Sequence, residues 1–398
     1  MTALDATTDG RPPMDRRNPF WRSVGADWVK RLVTLGVGIG LGLWVLNYYY
    51  QNRIVPDELA LGAGTKAMEA SWRSKPLTAL RLSDYSRVYP ESSSREAHAH
   101  EAVWLGNSQL HSVNQYKDGD TLAPAFASER LGWPVYGLSI PNASLQEHLV
   151  VGLWVLQHRA PEWLIIPVVF DDTREDGLRP DFKVLDSPGL RAALAGSEAG
   201  VELTRELDKL SAGERESQGT THSHFSLQVI VENALEGWAD RHWDVWAKRG
   251  EIFSTFLATD VYHLRNWIFG INATTKRPRI PQRYEKNMDS LRALLKAAAD
   301  AHVKVIVYIP PLRWDVSPPY FLEQYEECKK DTQRVAREEG AYFIDIDHAV
   351  PDGLWGEAYG DIDFMHFREE GHKILGEEMA ATILRAESGE LKPAGGTK

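Results

Sequence analysis

The chain has 398 residues, 43% of them hydrophobic and 25% charged, with a formal net charge of −11. That balance argues against a nucleic-acid binder, which would carry a basic face. The single cysteine, Cys328, rules out an intramolecular disulfide and a Cys-based zinc site.

Residues 1–31 read as a polar tail. Leu32 to Tyr50, LVTLGVGIGLGLWVLNYYY, has 19 residues and no charge, close to the roughly 20 needed to span a bilayer. It ends in Trp44 and three tyrosines, as an interfacial belt would. Arg16, Arg17, Arg22, Lys30 and Arg31 precede it, and only Arg53 and Lys66 follow closely. The asymmetry places the N-terminus in the cytoplasm and the rest outside the cell membrane. A cleaved signal peptide is the rival reading, but its apolar core would be shorter and followed by a small-x-small site. The expectation is therefore an uncleaved, single-pass anchor in the lipid bilayer through 32–50. The GVGIGLG within it lacks the preceding strand and the βαβ context of a dinucleotide loop.

Residues 51–98 read as a linker, and then a βα rhythm begins. Strand-length apolar runs stand at Ala102–Leu105, Val135–Leu138, Leu164–Phe170, Val303–Ile309 and Tyr342–Ile346. Between them, SLQEHLVVGLWVLQHR has leucines at helical spacing behind Ser144 as N-cap. NMDSLRALLKAAADAH and YFLEQYEECKKDTQRVAREEG read as two further helices, the second ended by Gly340. Alternating strands and helices predict a mostly parallel sheet covered on both faces. The rhythm breaks over about 175–283, a helix-prone, aromatic insertion with Trp238, Trp243, Trp246, Trp267, Ile268 and Phe269. These side chains are either an inward-packed cap or a docking face for a membrane partner. His222 and His224 lack a carboxylate or thiolate to complete a ligand set, so a surface loop is favoured over a metal site. The end, 391–398, reads as a flexible tail.

Two short stretches carry chemistry. In VWLGNSQLHS, Ser108 follows a strand at the edge where ligands bind in parallel sheets. Near the C-terminus, Asp363 and His366 stand three apart before a helix starting near Arg368. A serine nucleophile needs such a base, and the base needs a carboxylate to fix its tautomer. His111 reads as a solvated helix position. Arg313, after Pro310-Pro311, is a candidate for binding an anionic polymer.

Gly-Asn-Ser-Gln early, and Asp-x-x-His-Phe-x-x-x-Gly-His-x-x-Leu-Gly late, resemble the first and last blocks of the SGNH (GDSL-type) hydrolase superfamily. The resemblance covers about 102–175 and 300–386. It implies a flavodoxin-like three-layer α/β/α fold, with Ser108 as nucleophile, His366 as base and Asp363 as its partner. It places Asn142 where a glycine N–H normally faces the oxyanion, and Asp171 where an asparagine amide normally donates to it. An ionised Asp donates nothing, so Ser108 N–H and Asn142 remain as donors. No cofactor is called for. The membrane-anchored layout, with YIPPLRWD and FIDID, resembles the D-alanyl transfer proteins of teichoic acid modification and the SGNH proteins of exopolysaccharide O-acetylation. That resemblance implies an O-acyltransferase or acylesterase outside the cytoplasmic membrane. Its acceptor would be a cell-envelope polysaccharide or a teichoic-acid-like polymer, and its partner a membrane-bound O-acyltransferase. The alternative is a non-catalytic scaffold of this fold in a polymer modification or export complex.

Overall fold

A computed structural model describes residues 65–72, 75–89, 100–219, 275–358 and 361–395, together with most of 30–45. The chain divides into two units. The described part of the first is helical, over 33–38 and 40–42 among others. Its side chains are exposed: Val33 and Leu35 at 60%, Leu41 and Trp44 at 63%. Among the described residues no helix is long and apolar enough to cross a membrane. The expected 19-residue anchor is therefore not present as a described span. Residues 32, 39, 43 and 46–50 of that stretch lie outside the described residues.

The second unit is an α/β body. Its first strands are short: β1 (Thr65–Ala67), β2 (Ser71–Trp72), β3 (Lys75–Pro76) and β4 (Thr78–Ala79). There follow β5 (Ala102–Gly106), β6 (Ser112–Asn114), β7 (Val135–Ser139), β8 (Trp163–Pro167), β9 (Lys304–Ile309) and β10 (Tyr342–Asp345). A hairpin of β11 (Trp355–Ala358) and β12 (Asp361–Phe367) comes last. The central sheet runs β10-β9-β8-β5-β7-β4, every pair parallel. Counting only β5, β7, β8, β9 and β10, this is the doubly wound order 2-1-3-4-5. The order reverses at β5, between β7 and β8, so the crevice at that switch point opens beside the residue that follows β5. That residue segment contains Ser108.

Apart from the edge strand β10, the long strands of the sheet are buried on both faces, which is why they read as continuous apolar runs. Side chains still alternate. Val103, Leu105, Leu164, Ile166, Val305 and Val307 enter one core; Ala102, Trp104, Trp163, Ile165, Ile306 and Tyr308 enter the other. The first is covered by helices Leu145–His158, Pro281–Asp300 and Leu322–Glu338, the second by Ala123–Leu131 and Glu369–Glu387. Ser144 caps Leu145–His158 in a capping box with Glu147. In the late Gly-His-x-x-Leu-Gly block, a Cβ on Gly376 would lie 2.4 Å from the Ala123 carbonyl. The two covering helices touch there, and only glycine fits.

The stretch expected as a linker is partly built into this body, because β4 pairs with β7 and β1 with β6. Strands of two and three residues are too short to show a period. The described parts of the insertion, 175–219 and 275–283, send Phe182, Leu190, Leu203 and Leu207 into the first core. Residues 220–274 lie outside the described residues, and with them Trp238, Trp243, Trp246, Trp267, Ile268, Phe269, His222 and His224.

Candidate active site

The loop after β5 turns through Asn107, whose side chain caps the short helix Ser108–His111 by accepting the Gln109 N–H at 3.0 Å. This cap sets Ser108 at the corner between strand and helix. Opposite it stands the β11–β12 hairpin. In a regular strand residues three apart face opposite sides, so Asp363 and His366 could not act together on one. The pairing solves this. Trp355 lies opposite Phe367 and Glu357 opposite Ile362, so two steps along β11 match five along β12. The surplus residues bulge out, and the bulge contains both side chains. They stand on a strand irregularity directly before the last helix.

Within the bulge, Asp363 Oδ1 accepts the N–H groups of Met365 at 2.8 Å and His366 at 3.0 Å. Asp363 Oδ2 lies 2.8 Å from His366 Nδ1, and His366 Nε2 lies 3.0 Å from Ser108 Oγ. An ionised carboxylate only accepts, so Nδ1 carries the ring proton and Nε2 is left to accept from the serine hydroxyl. All three residues are buried, with edges open to solvent. Burial works to raise the Asp363 carboxyl, but the His366 charge, its ring hydrogen bond and the two backbone N–H groups outweigh it. The net shift is below the usual carboxylate range.

The structure thus brings Ser108, His366 and Asp363 together. It does not bring Asp171 to them. Asp171 Oδ2 accepts from Arg277 and, at 3.1 Å, from the Tyr320 hydroxyl, while Oδ1 takes Arg174 at 3.2 Å. The next residue, Asp172, reaches instead the residue before Ser108, accepting the Asn107 side-chain amide at 2.7 Å. Burial pushes the Asp172 carboxyl well above its usual range; the Asn107 bond opposes this and the charges of Asp171, Glu147 and Glu175 add to it. Asn142 lies in an exposed turn after β7 with φ 51°, the left-handed region that glycine favours and asparagine tolerates. That backbone conformation explains an asparagine where the resembled family has glycine. Arg313 is held bidentately by Asp315 at 2.7 and 2.9 Å and donates to the Gly356 carbonyl at 2.9 Å. Its fork is already filled, so it braces the hairpin rather than presenting a free cation.

His111 is not solvated but fully buried, with Nδ1 2.7 Å from Ser139 Oγ, which in turn donates to the Asn107 carbonyl at 2.6 Å. His372 is buried with Nε2 3.0 Å from the Ser112 carbonyl. Burial lowers both, and also His148: His111 to about 3, His148 and His372 to about 4. These histidines are neutral when folded and take protons near 6.5 when unfolded. Their contribution is therefore complete above pH 6.5 and is lost as pH falls toward 4. Asp172 and Asp347, raised on folding, act in the opposite sense but are fewer. Stability is expected to fall by roughly 1–3 kcal/mol per pH unit in that window. Urea unfolding at pH 7, 6 and 5 checks this; a midpoint unchanged across the three would contradict it.

No protein-family model matches the chain, and no curated protein sequence matches it. Several solved structures overlap it. An acetylxylan esterase from Geobacillus stearothermophilus is 10% identical, with 72% of this chain and 94% of that one covered at a TM-score of 0.35. An acylhydrolase candidate from Bacteroides fragilis is 10% identical, with 77% and 96% covered and a TM-score of 0.37. A protein from Desulfitobacterium hafniense assigned to the G-D-S-L lipolytic family is 11% identical, with 71% and 98% covered and a TM-score of 0.33. The overlap is loose at these TM-scores, and the chemistry stands on the three side chains themselves. Asn107 belongs to the quoted Gly-Asn-Ser-Gln block, whereas Asp172, bonded to Asn107, and Asn114, bonded to Asp363, carry no sequence signal of their own.

Proposed function

We propose that this protein is a serine acyl-ester enzyme with Ser108, His366 and Asp363 as its triad. The observation that carries the reading is the continuous contact from Ser108 Oγ to His366 Nε2 at 3.0 Å and from His366 Nδ1 to Asp363 Oδ2 at 2.8 Å. Ser108 Oγ attacks an acyl carbonyl while His366 Nε2 takes the hydroxyl proton. Collapse of the tetrahedral intermediate expels the alcohol, which receives that proton, and leaves an acyl-serine. A second hydroxyl, from water or a sugar, then attacks the acyl-serine with His366 again as base, and Ser108 regains its proton. Hydrolysis and transfer share every step except the identity of that second hydroxyl.

The finer reading is a membrane-anchored O-acyltransferase or acylesterase facing outward and acting on a cell-envelope glycopolymer, beside a membrane-bound O-acyltransferase that supplies the acyl group. The basic residues before position 32 support it, as does the exposure of Val33, Leu35, Val37, Leu41 and Trp44. Apolar side chains of this size forgo about 1.5–3 kcal/mol each when left in water, and lipid would cover them. Full-length protein is expected in the membrane fraction, resistant to high-salt and carbonate washes, and a phosphatase fused after Lys398 is expected to be active only outside the cytoplasm. Release by salt, or a reporter active in the cytoplasm, would overturn the localisation.

The observation that favours a non-catalytic scaffold is Asp171, the residue the resemblance puts at the oxyanion donor's place, which is tied up away from Ser108 by Arg277, Arg174 and Tyr320. Turnover of p-nitrophenyl acetate by the detergent-solubilised full chain, with and without a sugar acceptor, decides between them. Serine-dependent turnover supports the enzyme. Its absence in both conditions supports the scaffold.

A further inference from the structure

Asn114, the last residue of β6, is fully buried and belongs to none of the three triad positions. Its side-chain amide is spent on the hairpin that carries the bulge. Nδ2 donates to Asp363 Oδ2 at 3.1 Å and to the Glu357 carbonyl at 3.1 Å, and Oδ1 accepts the Glu357 N–H at 3.3 Å. The backbone of Asn114 is anchored elsewhere, paired with Thr65 of β1. From the other side the hairpin presses close. A Cβ on Gly356 would lie 1.8 Å from Asn114 Cγ, so position 356 accepts only glycine while the amide stays in place.

The Asp363 carboxylate is thereby saturated. Oδ1 has the Met365 and His366 N–H groups, and Oδ2 has His366 Nδ1 and Asn114 Nδ2. A carboxylate with two donors on each oxygen cannot rotate without breaking bonds. Asn114 is the only one of the four donors that comes from outside the bulge itself. We propose that Asn114 is a positioning residue of the active site: it ties the Asp363–His366 bulge to the body that carries Ser108 and holds Asp363 Oδ2 on the imidazole. This rests on the reading of Ser108, His366 and Asp363 as an acyl-transfer triad.

The role predicts a kinetic signature that simple loss of packing lacks. Asn114→Ala removes one donor from a charged acceptor, so kcat is expected to fall about 10- to 100-fold. KM for p-nitrophenyl acetate should stay within about twofold, because the amide does not face substrate. A carboxylate with fewer donors is more basic and holds an imidazolium more firmly, so the acid limb of kcat/KM should move to higher pH. Asn114→Asp keeps the shape and packing but sets a second carboxylate against Asp363. Where both carboxylates are ionised, the added negative charge stabilises the imidazolium, and the acid limb should move further than in Asn114→Ala.

The experiment is the pH profile of kcat/KM and the separate kcat and KM of the full chain and both variants, with melting temperatures alongside. Lower kcat, steady KM and a shifted acid limb support the proposal. A lowered melting temperature with an unshifted profile in both variants overturns it, since the amide would then serve the fold alone. If Asn114→Ala does not fold, the isosteric Asn114→Asp decides by the same criterion. Wild-type protein without serine-dependent turnover is a different result: it removes the triad reading itself, and the positioning role with it.

Discussion

Replacing Asp363 by Asn is expected to lower kcat by about 10⁴-fold, some 5–6 kcal/mol of transition-state stabilisation, with the fold intact. The reason lies in which atoms already have partners. The Met365 and His366 N–H groups demand an acceptor at the Oδ1 position. The new amide satisfies them only with its carbonyl oxygen, which forces its NH₂ into the place of Oδ2. There it meets His366 Nδ1 and the donating Asn114 Nδ2. Two donors then face each other, and the imidazole is driven to the tautomer with its proton on Nε2. That nitrogen can no longer accept from Ser108. Steady-state kinetics at pH 7 checks this; activity within tenfold of wild type would show that Asp363 does not set the tautomer.

Ser108→Ala should have the larger effect, about 10⁶-fold in kcat. Oγ is the atom on which the acyl group would be carried, and no neighbouring hydroxyl or thiol is aimed at His366 Nε2 among the described residues. The buried Ser139 Oγ, bonded to the residue before Ser108, is committed to the Asn107 carbonyl and His111. Cys328 lies in the first core, in the helix Leu322–Glu338, and burial pushes its thiol up to about 12. Neither can substitute. Turnover of p-nitrophenyl acetate by Ser108→Ala at a tenth of the wild-type rate or more would place the nucleophile elsewhere.

The central strands were legible because each is buried on both faces and long enough to read as an unbroken apolar run. The helix over 145–158 is legible by its 3.6-residue period and Ser144 by its capping chemistry; the helix over 322–338 and the part of 281–300 from Asn287 on read as helical patterns too, while the first turn, 281–286, does not. β4 was not, since two residues have no period, and its neighbours were taken for linker. The triad residues could be picked out because serine after a strand, and aspartate three before histidine, are chemically suggestive even in isolation. What makes the second pair work, the bulge in β12, depends on β11 pairing across it, and pairing register is not written in either strand alone.

Three single-residue expectations, for Asp171, His111 and Arg313, differ from the structure for local reasons. Asp171 and Asp172 are adjacent and identical in kind, but the chain enters a short 3-10 turn there. The first carboxylate is carried to Arg277 and Tyr320 and the second to Asn107. Alignment by motif cannot see that rotation. His111 reads as solvated in the sequence because the position three after Ser108 would face outward on a long helix. The helix has only four residues and passes directly into β6, so its last side chain is trapped beneath the sheet edge against Ser139. Arg313 stands at the strand's carboxyl end as expected, yet Asp315, two residues on, takes its guanidinium. Asn114 had no signal at all, because its partners lie some 250 residues away and meet it only through the hairpin.

The measurement that reaches the central claim most directly is labelling of the full-length, detergent-solubilised protein with a fluorophosphonate, followed by peptide mapping. The reagent forms a bond only with a serine whose hydroxyl is activated by a neighbouring base. The account predicts a single labelled position, Ser108, with labelling abolished in Ser108→Ala and strongly slowed in Asp363→Asn. Labelling of a different serine, or none at millimolar reagent while the protein remains folded, would contradict it.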